Sequence, residues 1–349
     1  DNNINKNEKP VIEEVPEFYT DNFRDPKVFK DGEKYYCLIG AERKDNNLGT
    51  IAVYESVDLL NWKYKSEIKN NFYGNGFMWE CPDYLDYGDK GVLIFSPQGM
   101  EPEGDKYKNI FQSGYLIGDK INFEDCEFKH GEFSELDRGF EFYAPQTTRC
   151  EDGRHVLIGW MGLPEIEYPT DDNGWAHCLT LPRELILQGD KLIQRPVKEL
   201  ESLRDFKVSK SYNLSNEEVT LEGFNERVYE LEASFNNIEG KKVGIMLRKG
   251  DNEETLFYYD IEDKKLVLDR SKSGKDFAVQ YGQERKCYYS GKSLKLQIFV
   301  DVSSIEIFVN DGEEVFTSRI FTDENSNGIS IFADGSMDTD INAWKLKNI

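Results

Sequence analysis

The chain has 349 residues, 38% of them hydrophobic, and its 43 Lys+Arg against 66 Asp+Glu give a formal charge of −23. That length can bury a substantial core and fits two domains. The charge excludes nucleic acid and anionic membrane surfaces as partners, because both repel it, and no run of about 18 apolar residues offers a membrane-spanning helix.

Residues 1–22 are polar at first and then read as one short strand or loop. Three units of one layout follow. Phe23-Arg24-Asp25-Pro26 leads to the turn pair Asp31-Gly32 and the run Tyr35-Tyr36-Cys37-Leu38-Ile39. Trp79-Glu80-Cys81-Pro82-Asp83 leads to Gly88-Asp89 and Val92-Leu93-Ile94-Phe95. Phe142-Tyr143-Ala144-Pro145 leads to Asp152-Gly153 and His155-Val156-Leu157-Ile158. The three prolines lie 56 and 63 residues apart, a repeat of short strands and tight turns that predicts blades of a β-propeller. Equivalent positions of successive blades face one axis, so Asp25 and Glu80, each just ahead of its proline, are expected to converge.

Leu192 to Leu203, with Pro196 inside it, predicts a short connecting helix. Beyond residue 205 strict alternation sets in. Leu294, Leu296, Ile298 and Val300 share one face, and Ile305, Ile307 and Val309 alternate with Glu306, Phe308 and Asn310 before the turn Asn310-Asp311-Gly312. Strands with one wet face and frequent turns predict a β-sandwich. With 22 Phe, 19 Tyr and 5 Trp, the whole chain reads as all-β. The expected division is a partial propeller over 1–190, a linker over 191–204 and a sandwich over 205–349.

The six cysteines show no Cys-x-x-Cys spacing and read as reduced thiols of a cytoplasmic protein. Three histidines without ligand spacing predict no metal site, and no phosphate loop, nucleophile elbow or dinucleotide fingerprint predicts a cofactor. Carboxylate chemistry remains. Glu80, between Trp79 and Cys81, loses hydration, which suits a general acid; capping a turn is the structural alternative. Arg24 is expected to hold Asp25 by charge-assisted hydrogen bonds, with an ordinary surface ion pair as its alternative. Trp79, Tyr143 and Trp160 could wall a sugar site, although aromatics at strand starts are more often core. Arg138, after Asp137, could take an anionic group such as phosphate, although a solvated loop arginine is the commoner outcome.

Together these motifs resemble glycoside hydrolase family 32, the invertases, levanases and sucrose-6-phosphate hydrolases. Arg24-Asp25-Pro26 matches the family's Arg-Asp-Pro motif and Glu80-Cys81 its Glu-Cys motif. Leu136-Asp137-Arg138-Gly139 with Phe142 to Thr147 is similar to the intracellular bacterial members, and Leu181-Pro182-Arg183-Glu184 and Val300 to Phe308 also fit. The resemblance implies a five-bladed propeller followed by a β-sandwich. It also implies a retaining hydrolysis of β-fructosyl bonds with two carboxyls about 5 Å apart. In that scheme Glu80 is the general acid/base, Asp25 binds fructosyl hydroxyls, and Arg24, Trp79, Cys81, Asp137, Arg138, Tyr143 and Trp160 contact substrate. The implied substrate is sucrose, sucrose 6-phosphate or a short fructan.

One departure shapes the expectations. The family's nucleophile lies in an Asn-Asp-Pro motif well upstream of Arg-Asp-Pro, and no such tripeptide occurs here. The sequence therefore reads as about three blades of five, without the N-terminal nucleophile segment, inactive alone and prone to self-association through an open blade edge. A non-catalytic carbohydrate-binding remnant is the competing reading, and a structural β-protein without a sugar site is the third.

Overall fold

The computed structural model describes residues 6–72 and 75–347. They form two compact units, one of described residues up to 100 with 111–134, the other of residues 101–110 with the described residues from 135 on.

The first unit is built from two antiparallel meanders. β1 (Tyr19–Asp31), β2 (Lys34–Arg43), β3 (Gly49–Ser56) and β4 (Lys63–Glu67) pair in chain order, as do β5 (Met78–Asp86), β6 (Lys90–Gln98) and β7 (Gly114–Asp119). β8 (Ser134–Glu135) follows β7 at the edge, where the chain passes into the other unit. The predicted Asp31-Gly32 turn joins β1 to β2, and Gly32 takes φ +59° as glycine does without steric cost. The runs Leu38, Ile51, Val53 and Val92 to Phe95 are wholly buried. Trp79 is buried among them, stacked on Phe95 at 4.6 Å and lying over Gly49, where a Cβ would come 2.4 Å from its ring. The indole thus needs a glycine on the facing strand.

In the second unit, β9 (Tyr143–Arg149), β10 (His155–Met161), β12 (Arg183–Gln188) and β13 (Lys191–Pro196) make a third meander, with β11 (Cys178–Leu179) pairing on the far end of β10. Leu192 to Arg195 therefore belongs to a strand paired with β12, and the only helical turn of the predicted connecting helix is the 3₁₀ segment Lys198–Leu203. The cross-strand partner won over helical spacing.

The sandwich follows, from β14 (Arg204–Thr220), β15 (Tyr229–Lys249), β16 (Glu254–Asp260), β17 (Lys265–Lys272), β18 (Glu284–Tyr288), β19 (Leu294–Asp301), β20 (Ser304–Val309), β21 (Glu314–Arg319) and β22 (Gly328–Leu346). β14, β15 and β22 are long, and along β15 Tyr229–Phe235 pairs with β19, whereas Lys242–Leu247 pairs with β16. They bend where the register shifts, at Asn216, between Asn236 and Lys242, and at Gly335. Gly335 takes φ +132°, and a Cβ on it would lie 2.1 Å from the Glu239 carbonyl, so the corner admits glycine alone.

The predicted inner face holds. Leu294, Leu296, Ile298, Ile305 and Ile307 are buried in the sandwich core. The expected wet face holds on β19, where Lys295 and Asp301 are exposed, and fails on β20, where Glu306 and Phe308 are buried. Glu306 there pairs with Arg183 on β12 at 2.7 Å, so a charged position inside an alternating strand faces a buried partner instead of water.

Candidate active site

Three strands share one irregularity. Arg24 pairs with Gly40 and Lys27 with Leu38, so three steps along β1 match two along β2. Glu80 and Asp83 pair with Ser96 and Ile94, and Tyr143 and Gln146 pair with Trp160 and Ile158, with the same offset. Each is a β-bulge, and the residue just before the proline has a left-handed backbone: Asp25 at φ +63°, Cys81 at +49° and Ala144 at +47°. Non-glycine residues in that region cost of order 1–3 kcal/mol, and such strain gathers at functional sites. A bulge re-aims neighbouring side chains toward one side.

The bulges fix the register of the repeat. Asp25 is equivalent to Cys81 and Arg24 to Glu80, one position from the simple pairing of Asp25 with Glu80. Within the first unit, equivalent positions touch. Arg24 Nε donates to Glu80 Oε1 at 2.7 Å. The Cys81 backbone N–H donates to Asp25 Oδ2 at 3.1 Å, with Cys81 Sγ 3.6 Å from the same oxygen. Lys27 Nζ reaches Asp83 at 2.9 Å. The expected Arg24–Asp25 pair is thus replaced by Arg24–Glu80, because the bulge turns the guanidinium across to the next strand set.

The surroundings extend this cluster. Gln98, at the end of β6, donates through Nε2 to Glu80 Oε2 at 2.7 Å. Arg24 Nη1 donates to Asn22 Oδ1 at 2.8 Å, and Asn22 Nδ2 donates to Glu42 Oε2 at 2.6 Å, where Thr20 Oγ1 also donates at 2.9 Å. A polar chain therefore runs from Glu42 through Asn22, Arg24 and Glu80 to Gln98. Glu80 keeps 15% of its side chain exposed and Arg24 35%. No donor among the described residues reaches Asp25 Oδ1. Asn22, Glu42 and Gln98 were not singled out from the sequence. Only the one-residue shift of Arg24-Asp25-Pro26 onto Glu80-Cys81-Pro82 could have pointed to how this chain connects.

The other expected site residues have these surroundings within their own units. Trp79 is a core residue behind Glu80, its Nε1 donating to the Asn75 carbonyl at 2.9 Å. In the second unit Tyr143 and Trp160 stand opposite each other across β9 and β10, ring centroids 6.3 Å apart; Tyr143 is buried, and Trp160 meets His177 at 4.8 Å. Asp137 is buried and accepts from Gly139 N, Thr317 N, Thr317 Oγ1 and Arg183 Nη1. Arg138 sits between Glu135 at 2.6 Å and Glu314 at 2.8 Å. Burial alone would pull the Arg138 guanidinium down, but Glu314 and Glu135 outweigh it and hold it above its ordinary value. A substrate phosphate at Arg138 would meet these two carboxylates.

Asp25 and Glu80 thus stand on neighbouring bulges of blade-type meanders, in a chain that also carries a β-sandwich. Residues 1–196 match the Glycosyl hydrolases family 32 N-terminal domain, and residues 199–345 match the family's C-terminal domain. The chain belongs to glycosyl hydrolase family 32. It is 44% identical over 329 residues to sucrose-6-phosphate hydrolase of Staphylococcus xylosus, covering 94% of this chain and 66% of that protein. The solved sucrose-6-phosphate hydrolase of Lactobacillus gasseri superposes with a TM-score of 0.89 at 32% identity, covering 99% of this chain and 70% of that one. A Bombyx mori β-fructofuranosidase solved with sucrose gives 0.81 at 32% identity, covering 98% and 69%. The chain spans about two thirds of the length of the curated relatives it matches.

Proposed function

We propose that residues 1–349 carry the acid/base part of a β-fructofuranosidase acting on sucrose-type substrates, with sucrose 6-phosphate preferred. The single observation behind this reading is Glu80, held through both oxygens by Arg24 and Gln98 beside Asp25, on paired bulges. Its relatives include sucrose-6-phosphate hydrolases and a β-fructofuranosidase solved with sucrose, which supports the substrate class. Glu80 protonates the leaving glycosidic oxygen and then activates water. Asp25 accepts hydrogen bonds from fructosyl hydroxyls, and Arg24 orients Glu80. Retention of configuration needs a second carboxylate on the opposite face of the sugar as nucleophile. We assign that role to none of residues 1–349, since no Asn-Asp-Pro occurs among them. Residues 1–190 serve as the propeller part and 205–349 as the sandwich.

The same missing tripeptide favours the second reading, a sugar-binding protein without turnover. The test assays sucrose, sucrose 6-phosphate and a short fructan with residues 1–349 and with the natural polypeptide that contains them. Cleavage with retention by the natural polypeptide alone supports the proposal. Binding without cleavage by both supports the second reading, and ordinary turnover by residues 1–349 overturns the nucleophile assignment.

A further inference from the structure

Glu80 is gripped from two sides by groups of different kinds. Arg24 brings charge and is itself steered by Asn22 on Glu42. Gln98 brings only an amide N–H, 2.7 Å from Oε2. The Gln98 backbone is fixed independently of that contact: its carbonyl accepts from Phe77 N at 2.9 Å, it stands opposite Met78 across β5 and β6, and Gly76 lies so close that a Cβ would come 2.4 Å from the same carbonyl. A side chain with little backbone freedom therefore holds the second oxygen of the proposed acid.

We propose that Gln98 is a positioning residue that sets the rotation of the Glu80 carboxyl, and with it the direction in which that group delivers its proton. This rests on the reading of Glu80 as the general acid. A carboxyl with a donor on each oxygen cannot swing about its terminal torsion without breaking one bond, and that torsion is otherwise soft. Proton delivery depends on hydrogen-bond reach and aim. Removing the amide takes one fixed donor from Oε2, so the rotation of the carboxyl is less tightly set.

Leaving-group chemistry separates positioning from general damage. Sucrose has a poor leaving group and needs its oxygen protonated as the bond breaks, whereas an aryl β-fructofuranoside with a p-nitrophenolate leaving group needs far less help. In the natural polypeptide containing residues 1–349, Gln98→Met keeps the side-chain length and removes the donor. The ratio of kcat/KM on sucrose to that on the aryl fructoside is expected to fall roughly tenfold, a fraction of the 10²–10⁴ span of a general acid. Glu80→Ala is expected to lower the same ratio further. Equal losses on both substrates in Gln98→Met, with a clear ratio drop in Glu80→Ala, overturn the role of Gln98 alone. No ratio change in Glu80→Ala overturns the reading of Glu80 beneath it. Gln98→Glu restores shape but sets a like charge against Glu80, so it is expected to lower the ratio too; a wild-type ratio in that variant also counts against the proposal.

Discussion

Arg24-Asp25 and Asp137-Arg138 look alike in sequence, each an arginine–aspartate dipeptide near a proline-opened strand. Their surroundings make them opposites. In the second unit Asp137 is 1% exposed and both its oxygens are filled by protein donors, while Arg183, at 0%, bridges it to Glu306. Glu141 is similarly occupied, accepting from Arg270 Nη1 and from the Arg319 backbone N–H. In the first unit Arg24 and Glu80 are part-exposed, and Asp25 is held through one oxygen. Saturated, desolvated charges fix structure; a carboxylate with capacity left can accept a substrate hydroxyl.

The largest effect is expected at the proposed acid. Glu80→Ala in the natural polypeptide should lower sucrose turnover by roughly 10²–10⁴ with little change in melting temperature. A variant near wild-type turnover would remove the distinction between the two regions. Arg183→Met tests the other side. It leaves Asp137 and Glu306 as buried carboxylates facing each other, which should cost about 3–5 kcal/mol of stability, read as a lower urea midpoint at unchanged m-value. Burial already pushes the Glu306 carboxyl up, against the pull of Arg183, so loss of the arginine should act in the same direction. A midpoint within error of wild type would show that the cluster contributes nothing to folding.

How much of this was legible from sequence follows from range. The strand runs, the turns at Asp31-Gly32 and Asn310-Asp311-Gly312, and the inner faces of β19 and β20 are written in neighbours two to four residues apart, and those expectations agree with the structure. The partners of the acids are not. Adjacency pointed Arg24 at Asp25, but the bulge carries it to Glu80, 56 residues on. The Glu306 and Phe308 positions alternate as a solvent face does, but Glu306 meets Arg183, 123 residues earlier, and Phe308 packs with Phe299 and Val315. Gln98 follows an apolar strand and a proline, and nothing local marks it as touching Glu80.

A smaller effect tests Arg138 for a phosphate role. Held between Glu135 and Glu314, it should give Arg138→Ala a stability loss of about 1.5–2 kcal/mol, the low part of the range for charged hydrogen bonds because the guanidinium is not fully buried. The preference between sucrose 6-phosphate and sucrose should stay unchanged. A variant of wild-type stability that loses discrimination would return Arg138 to the substrate.

The smallest effect belongs to His177, beside Trp160 in the second unit. Burial, and then the Arg319 guanidinium, pull its pKa below the ordinary 6.5, while Asp171 acts weakly the other way. Its Nε2 is buried without a hydrogen-bond partner, and its ring meets Trp160 at 4.8 Å and Tyr168 at 5.0 Å. Between the lowered folded value and 6.5 the unfolded chain binds more protons than the folded one, so stability rises with pH across that window. The contribution is complete above the unfolded value and is lost as pH falls through the folded one. His177→Gln cannot charge, so its melting temperature should fall less than that of the wild type between about pH 7.5 and about pH 5. Parallel melting profiles for the two proteins would show that His177 is as free to protonate folded as unfolded, and a steeper fall in the variant would reverse the sign argued from its burial.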